Sequence, residues 1–137
     1  MAEVVYLDVV EVIGIHVQFV ERTGYRSQGI RAQSELESAL ARPQMAAYYE
    51  GADLVRQATL LAVGISRNQP SVDGNKRTAF ATADAFLRLN GIRVVGDGVE
   101  FAKQLEAVAE RKDSLDAATD RFEAWLRANT VPRTSQP

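Results

Sequence analysis

Gln69-Pro70-Ser71-Val72-Asp73-Gly74-Asn75-Lys76-Arg77-Thr78 is the stretch whose reading decides the fold. On its N-terminal side Leu54, Ala58, Leu61, Ala62 and Ile65 recur at helical spacing and run into the polar residues 67–71. On its C-terminal side Ala79, Ala83, Phe86 and Leu87 restore that spacing until Asn90-Gly91, where glycine is favoured just past a helix end. These patterns predict a helix–loop–helix with its loop at residues 68–74.

The loop places glycine and cations where a helix begins. The first amide N–H groups of a helix have no partner within it, and the helix dipole adds partial positive charge, so Gly74 and Asn75 can present backbone donors to a phosphate. Lys76 and Arg77 add a point charge and a planar fork of donors, and Asp73 supplies the hard oxygen that Mg²⁺ prefers. Read from spacing alone, the same residues also describe an ordinary Asp-Gly turn with Asp73 as a helix cap, and both readings stay open at this level.

Further from the loop, Asp8 and Glu11 form a capping pair for a first helix over residues 9–20, with apolar residues on more than one face. Residues 23–31 read as an exposed connector. Ser34 and Glu37 form a second capping box for a short helix that is expected to stop before Pro43. Residues 44–51, with Tyr48 and Tyr49, fit either a turn of helix or a short extended flap beside a target groove. Residues 92–95 fit a short strand before the turn Gly96-Asp97-Gly98. Phe101, Leu105 and Val108 then mark a helix, and Ser114 opens a last one through Ala118, Phe122, Trp125 and Leu126. We expect one domain over residues 1–129 and a disordered tail at 130–137, where two prolines lie among small polar residues.

The whole chain has 137 residues, 46% apolar and 25% charged, which suits one ordinary domain. Its net charge of −2 lacks the basic bias of a duplex-DNA binder, so no direct DNA binding is expected. With no cysteine there is no disulfide framework, thiolate zinc site or cysteine nucleophile, which fits a reducing cytoplasm. No apolar run approaches the ~18 residues of a membrane span, and the chain reads as soluble and unprocessed. His16, the single histidine, lies between Ile13 and Val20 on the first helix and reads as a packed core residue. Asp84 and Arg88, four apart, read as a surface ion pair.

Residues 72–79 followed by Phe86-Leu87-Arg88-Leu89-Asn90-Gly91, together with Leu40-Ala41-Arg42-Pro43 upstream, resemble the Fic/Doc superfamily over residues 6–95. The superfamily's signature runs His-x-Phe-x-Asp-Gly/Ala-Asn-Lys/Gly-Arg. The resemblance implies an all-α, mainly helical bundle with a central helix–loop–helix and room for one short β-hairpin or flap. It also implies transfer of a phosphate-containing group from ATP, with Mg²⁺, to a protein serine or threonine hydroxyl. Lys76, with Phe80 where most Fic enzymes have a second arginine, is similar to the death-on-curing branch. Members of that branch are toxins that act on a translation elongation factor and are neutralised by a small antitoxin. In this likeness Asp73 is the metal-site carboxylate, Gly74 and Asn75 the anion cradle, and Lys76 and Arg77 the phosphate contacts.

Two positions depart from the signature. Gln69 stands where the family has its catalytic histidine, and Ser71 where it has a phenylalanine that anchors the loop. A glutamine amide cannot take a proton near neutral pH but can still position a hydroxyl. These departures frame two outcomes, an impaired toxin enzyme of the death-on-curing type or an inactive homologue that serves as a nucleotide- or protein-binding module.

Overall fold

The computed structural model describes residues 3–12, 14, 33–68, 73–110 and 113–132. Its elements are a first helix α1, described at residues 9–12 and 14, then α2 (Gln33–Glu50), α3 (Leu54–Asn68), α4 (Asp73–Leu89), β1 (Ile92–Val94), α5 (Gly98–Ala109), α6 (Leu115–Ala128) and β2 (Thr130–Pro132). The mainly helical architecture with a central helix–loop–helix is the one expected.

Local chemistry opens several of these helices. Asp8 and Glu11 cap α1 reciprocally. The Glu11 amide donates to Asp8 Oδ1 at 2.8 Å and the Asp8 amide donates to Glu11 Oε1 at 3.1 Å. Asp97 accepts from the Val99 and Glu100 amides to start α5, and Ser114 accepts from the Ala117 amide to start α6. Gly91 closes α4 at φ +85°, a left-handed conformation that suits glycine.

Helix α3 is the hub, packing on α2 and α4 most extensively and also on α5 and α6. It is therefore buried around most of its circumference, through Val55, Ala58, Leu61, Ala62, Val63 and Ile65. Gly64 lets α2 come close, since a Cβ there would lie 3.2 Å from Ala39 Cβ. Ala79, Ala83, Phe86 and Leu87 of α4 are all buried, as their spacing predicts. Phe101 of α5 joins three elements, with ring centroids 4.9 Å from Phe80 of α4 and 5.2 and 5.9 Å from Phe122 and Trp125 of α6.

Several expectations change. Helix α2 does not stop before Pro43 but continues to Glu50. The lost amide and the ring clash cost about 3 kcal/mol, and the buried stripe Ala39, Leu40, Pro43 and Ala46, packed along α3, offsets that cost. Residues 44–50 are thereby helix rather than flap, and Gly51 at φ +67° ends them. Thr130–Pro132, expected to be disordered, pairs antiparallel with β1, Ile92 facing Pro132 and Val94 facing Thr130. This pairing joins chain segments far apart in sequence, so it is a two-stranded ribbon and not a hairpin. Among the described residues of α1, Val12 is buried and Val10 is 76% exposed. His16 and the connector at 23–31 lie outside the described residues.

The N-terminal segment is tied to the end of α4 by one side chain. Asn90 Oδ1 accepts from the Val5 amide and its Nδ2 donates to the Val5 carbonyl, both at 2.8 Å, which imitates a strand pairing. Tyr6 beside it stacks on Phe86 and donates its hydroxyl to Gln57 Oε1 at 2.7 Å.

Charge fastens α3 to α6. Arg127 of α6 donates to both oxygens of Asp53, at 2.8 and 3.2 Å, while Asp53 also accepts from the Arg56 amide. Hydrogen bonding from Arg127 is the main reason that the Asp53 carboxyl sits below its ordinary range. A depressed folded-state pKa means that this pairing adds stability above the unfolded-state pKa of about 3.9, and that the contribution is lost as pH falls through the lower folded value. Asp53→Asn, which keeps the cap oxygen, is expected to melt slightly lower than wild type at pH 7, with the gap closing as pH falls below about 4. Because both partners are near half exposed, the gap is expected to stay within about 1 kcal/mol and to shrink in high salt. Thermal melts between pH 2 and pH 7 check it.

Candidate active site

Helix α3 ends at Asn68 and α4 begins at Asp73, so the two helices bracket the signature stretch and their mutual packing holds its ends. Gln69 and Ser71 lie outside the described residues. For Asp73, Gly74, Asn75 and Lys76 the helical backbone is described, and it makes them the first turn of α4. The amides of this turn have no partner within the helix, which is the polar environment that a phosphate requires.

Arg77 is the first residue of α4 whose side chain is described. It is exposed and forms no ion pair with any described residue, so its guanidinium is available at the edge of this turn. Behind it Thr78 and Ala79 are buried and fix the rotation of the helix. Phe80 turns inward, onto Phe101 and against Gly98, where an added Cβ would lie 3.4 Å from the ring. The position where most Fic enzymes carry a second arginine is thus part of the aromatic core.

Matching against family models finds the Fic/DOC family over residues 6–87, well over half of the chain. The chain belongs to the Fic/DOC family. Among characterised relatives, Toxin Doc of Mycolicibacterium smegmatis is 40% identical over 105 residues, covering 72% of this chain and 79% of the relative. Protein kinase doc of Escherichia phage P1 is 32% identical over 111 residues, covering 80% of this chain and 86% of the relative. The death-on-curing branch indicated by Lys76 and Phe80 is the one to which these relatives point.

For a Fic/DOC protein the cofactor question is whether the first turn of α4 suits a metal-bound nucleotide. Among the described residues no group of three or more histidine or acidic side chains converges on a metal position. Asp73 is the carboxylate placed at the start of the helix.

Elsewhere, Asp84 and Arg88 form the expected ion pair on α4, at 3.1 Å. Tyr48 and Tyr49, read as candidates for a target groove, are 81% and 75% exposed at the far end of α2. Tyr49 shares a groove with Arg56 and Leu60, which lie eight to twelve residues before the end of α3. At the rise of a helix that distance is about 12–18 Å from the signature loop. Sequence reasoning did not foresee this groove, and its one signal was the presence of two adjacent tyrosines on a helix.

Proposed function

We propose that this protein is a toxin of the death-on-curing type that transfers the γ-phosphoryl group of ATP to a serine or threonine hydroxyl of a target protein. The observation that carries the reading is the start of α4 at Asp73, which presents the amides of Gly74 and Asn75 beside the exposed Arg77 in a chain of the Fic/DOC family. The relatives' names, toxin and protein kinase, support the same activity. A translation elongation factor as target and a small antitoxin as partner belong to this proposal.

In this reading the amides of Gly74 and Asn75 hold phosphate oxygens, and Lys76 and Arg77 balance their charge. Asp73 would hold Mg²⁺, which when bound with ATP would help neutralise the charge of its phosphates. Gln69, at the catalytic position, orients the attacking hydroxyl through its amide without accepting the proton, which passes to solvent. A phosphorus–oxygen bond forms to the hydroxyl oxygen as the bond to the ADP oxygen breaks. Phe80 stands in place of a second arginine, consistent with phosphate rather than AMP transfer.

Two measurements test this. Label is expected to reach protein from γ-labelled but not from α-labelled ATP, and label from the α position would overturn the phosphate assignment. Arg77→Ala is expected to weaken binding of a fluorescent ATP analogue in Mg²⁺ by about 10- to 100-fold, the loss of a charge-assisted contact worth about 1.5–3 kcal/mol. Unchanged binding would remove Arg77 from the phosphate site.

A further inference from the structure

The ribbon of β1 and β2 uses only part of its backbone hydrogen-bonding capacity, and its register fixes which part. The Val95 amide donates to the Asn129 carbonyl at 2.7 Å, and two residues back along the ladder Arg93 faces Val131. Bonded and non-bonded pairs alternate in an antiparallel ladder. Arg93 and Val131 therefore exchange bonds, whereas Ile92 and Val94 turn their N–H and C=O groups away from β2. Among the described residues the sheet has no third strand, and no other described segment bonds to the Ile92 or Val94 backbone.

The two edges of the ribbon are not alike. On β2 the outward-facing residues are Thr130 and Pro132, and a proline has no amide to give, which blunts that edge. On β1 both outward-facing residues keep their amides. Each offers one donor and one acceptor in line along the strand, the template that an added strand completes.

Side chains define the strand that fits. Ile92 and Val94 are half-buried and pack against the core, and β1 packs on α4, so the face they share lies on the helices. Arg93 lies on the opposite face, where it is exposed and forms no ion pair with any described residue. Val95 and Val131, both exposed, share that face. Residues directly opposite one another in a ladder lie on the same face. Apolar side chains set against Ile92 and Val94 thus extend the packed face, and a carboxylate set against Arg93 meets an unpaired guanidinium. A second copy of the chain suits the edge poorly. Pairing β1 with itself about a two-fold axis, Ile92 against Val94, sets Arg93 opposite Arg93, and like charges directly opposite are destabilising.

We propose that the outer edge of β1 binds an extended segment of another protein as a third, antiparallel strand, with an acidic residue between two apolar ones at its centre. The backbone of the segment bonds to Ile92 and Val94, and its acidic side chain pairs with Arg93. The proposal is independent of the nucleotide reading, because none of these residues belongs to the signature stretch.

The test uses the full chain and a short fluorescently labelled peptide of threonines around a central valine, glutamate and valine in succession, followed by anisotropy. Three counterparts carry lysine in place of glutamate, N-methyl groups on both valine amides, or an N-methyl group on the glutamate amide. The parent peptide is expected to bind saturably, and the lysine peptide about tenfold or more weaker. Methylated valines, whose amides face β1, are expected to cost about tenfold or more, and methylated glutamate, whose amide faces away, less than about threefold. Arg93→Glu is expected to reverse the preference so that the lysine peptide binds tighter. Arg93 is exposed, so a melting temperature close to wild type confirms that this variant folds. Absence of saturable binding, binding of the valine-methylated peptide within about twofold of the parent, or a preference for glutamate that survives Arg93→Glu would overturn the proposal. So would self-association of the free chain, seen by sedimentation, that the parent peptide competes away, since it would assign the edge to a second copy.

Discussion

Replacing Gln69 by histidine is expected to raise the rate of phosphate transfer by about 100- to 10,000-fold, the range over which a positioned general base acts. In barrier terms this is about 3–5 kcal/mol. The imidazole takes the proton from the attacking hydroxyl as the new phosphorus–oxygen bond forms, a task for which the glutamine amide has no lone pair of sufficient basicity. The two proteins should also differ in pH dependence. Transfer by Gln69→His is expected to rise with pH through the ordinary imidazole range near 6.5, whereas the wild-type rate lacks that step. Nucleotide affinity is expected to be alike in both, since the phosphate contacts assigned to residues 73–77 are untouched. Time courses of label transfer from γ-labelled ATP, at several pH values, measure all of this. A histidine variant no faster than wild type would show that position 69 does not serve as the base in this chain.

Phe101→Ala is expected to cost about 3–5 kcal/mol of folding stability, as large-to-small changes of a buried aromatic do. Phe101 is fully buried, and its ring is the common neighbour of Phe80, Phe122 and Trp125. Removing it leaves a void where α4, α5 and α6 meet and takes away edge-to-face contacts on three sides. The corresponding fall in melting temperature is on the order of 10–20 °C for a domain of this size. Val10→Ala, at an exposed position, is expected to change stability by no more than about 0.5 kcal/mol. Because Phe80 lies one turn beyond Arg77, the core defect also loosens the start of α4, so Phe101→Ala should weaken nucleotide binding at temperatures where it is still folded. Thermal melts and fluorescent-ATP titrations at 10 °C read the two effects separately.

What was legible in the sequence was local. The four apolar residues of α4 from Ala79 to Leu87, the caps at Asp8 and Ser114 and the glycine stop at Gly91 each depend on residues within a turn or two, so spacing and side-chain chemistry were enough. That a helix opens at Asp73 was legible for the same reason, because its start is marked by consecutive residues of the signature stretch. Four features depended on segments distant in the chain. Pro43 breaks a helix on local grounds, yet α2 runs through it because packing on α3 outweighs the local cost. Thr130–Pro132 has nothing that marks it as a strand until β1 lies alongside. The inward turn of Phe80 and the groove between α2 and α6 arise only when three helices are brought around α3. Capping and periodicity are short-range effects that a single segment carries within itself, whereas burial of a surface depends on what other segment arrives to cover it.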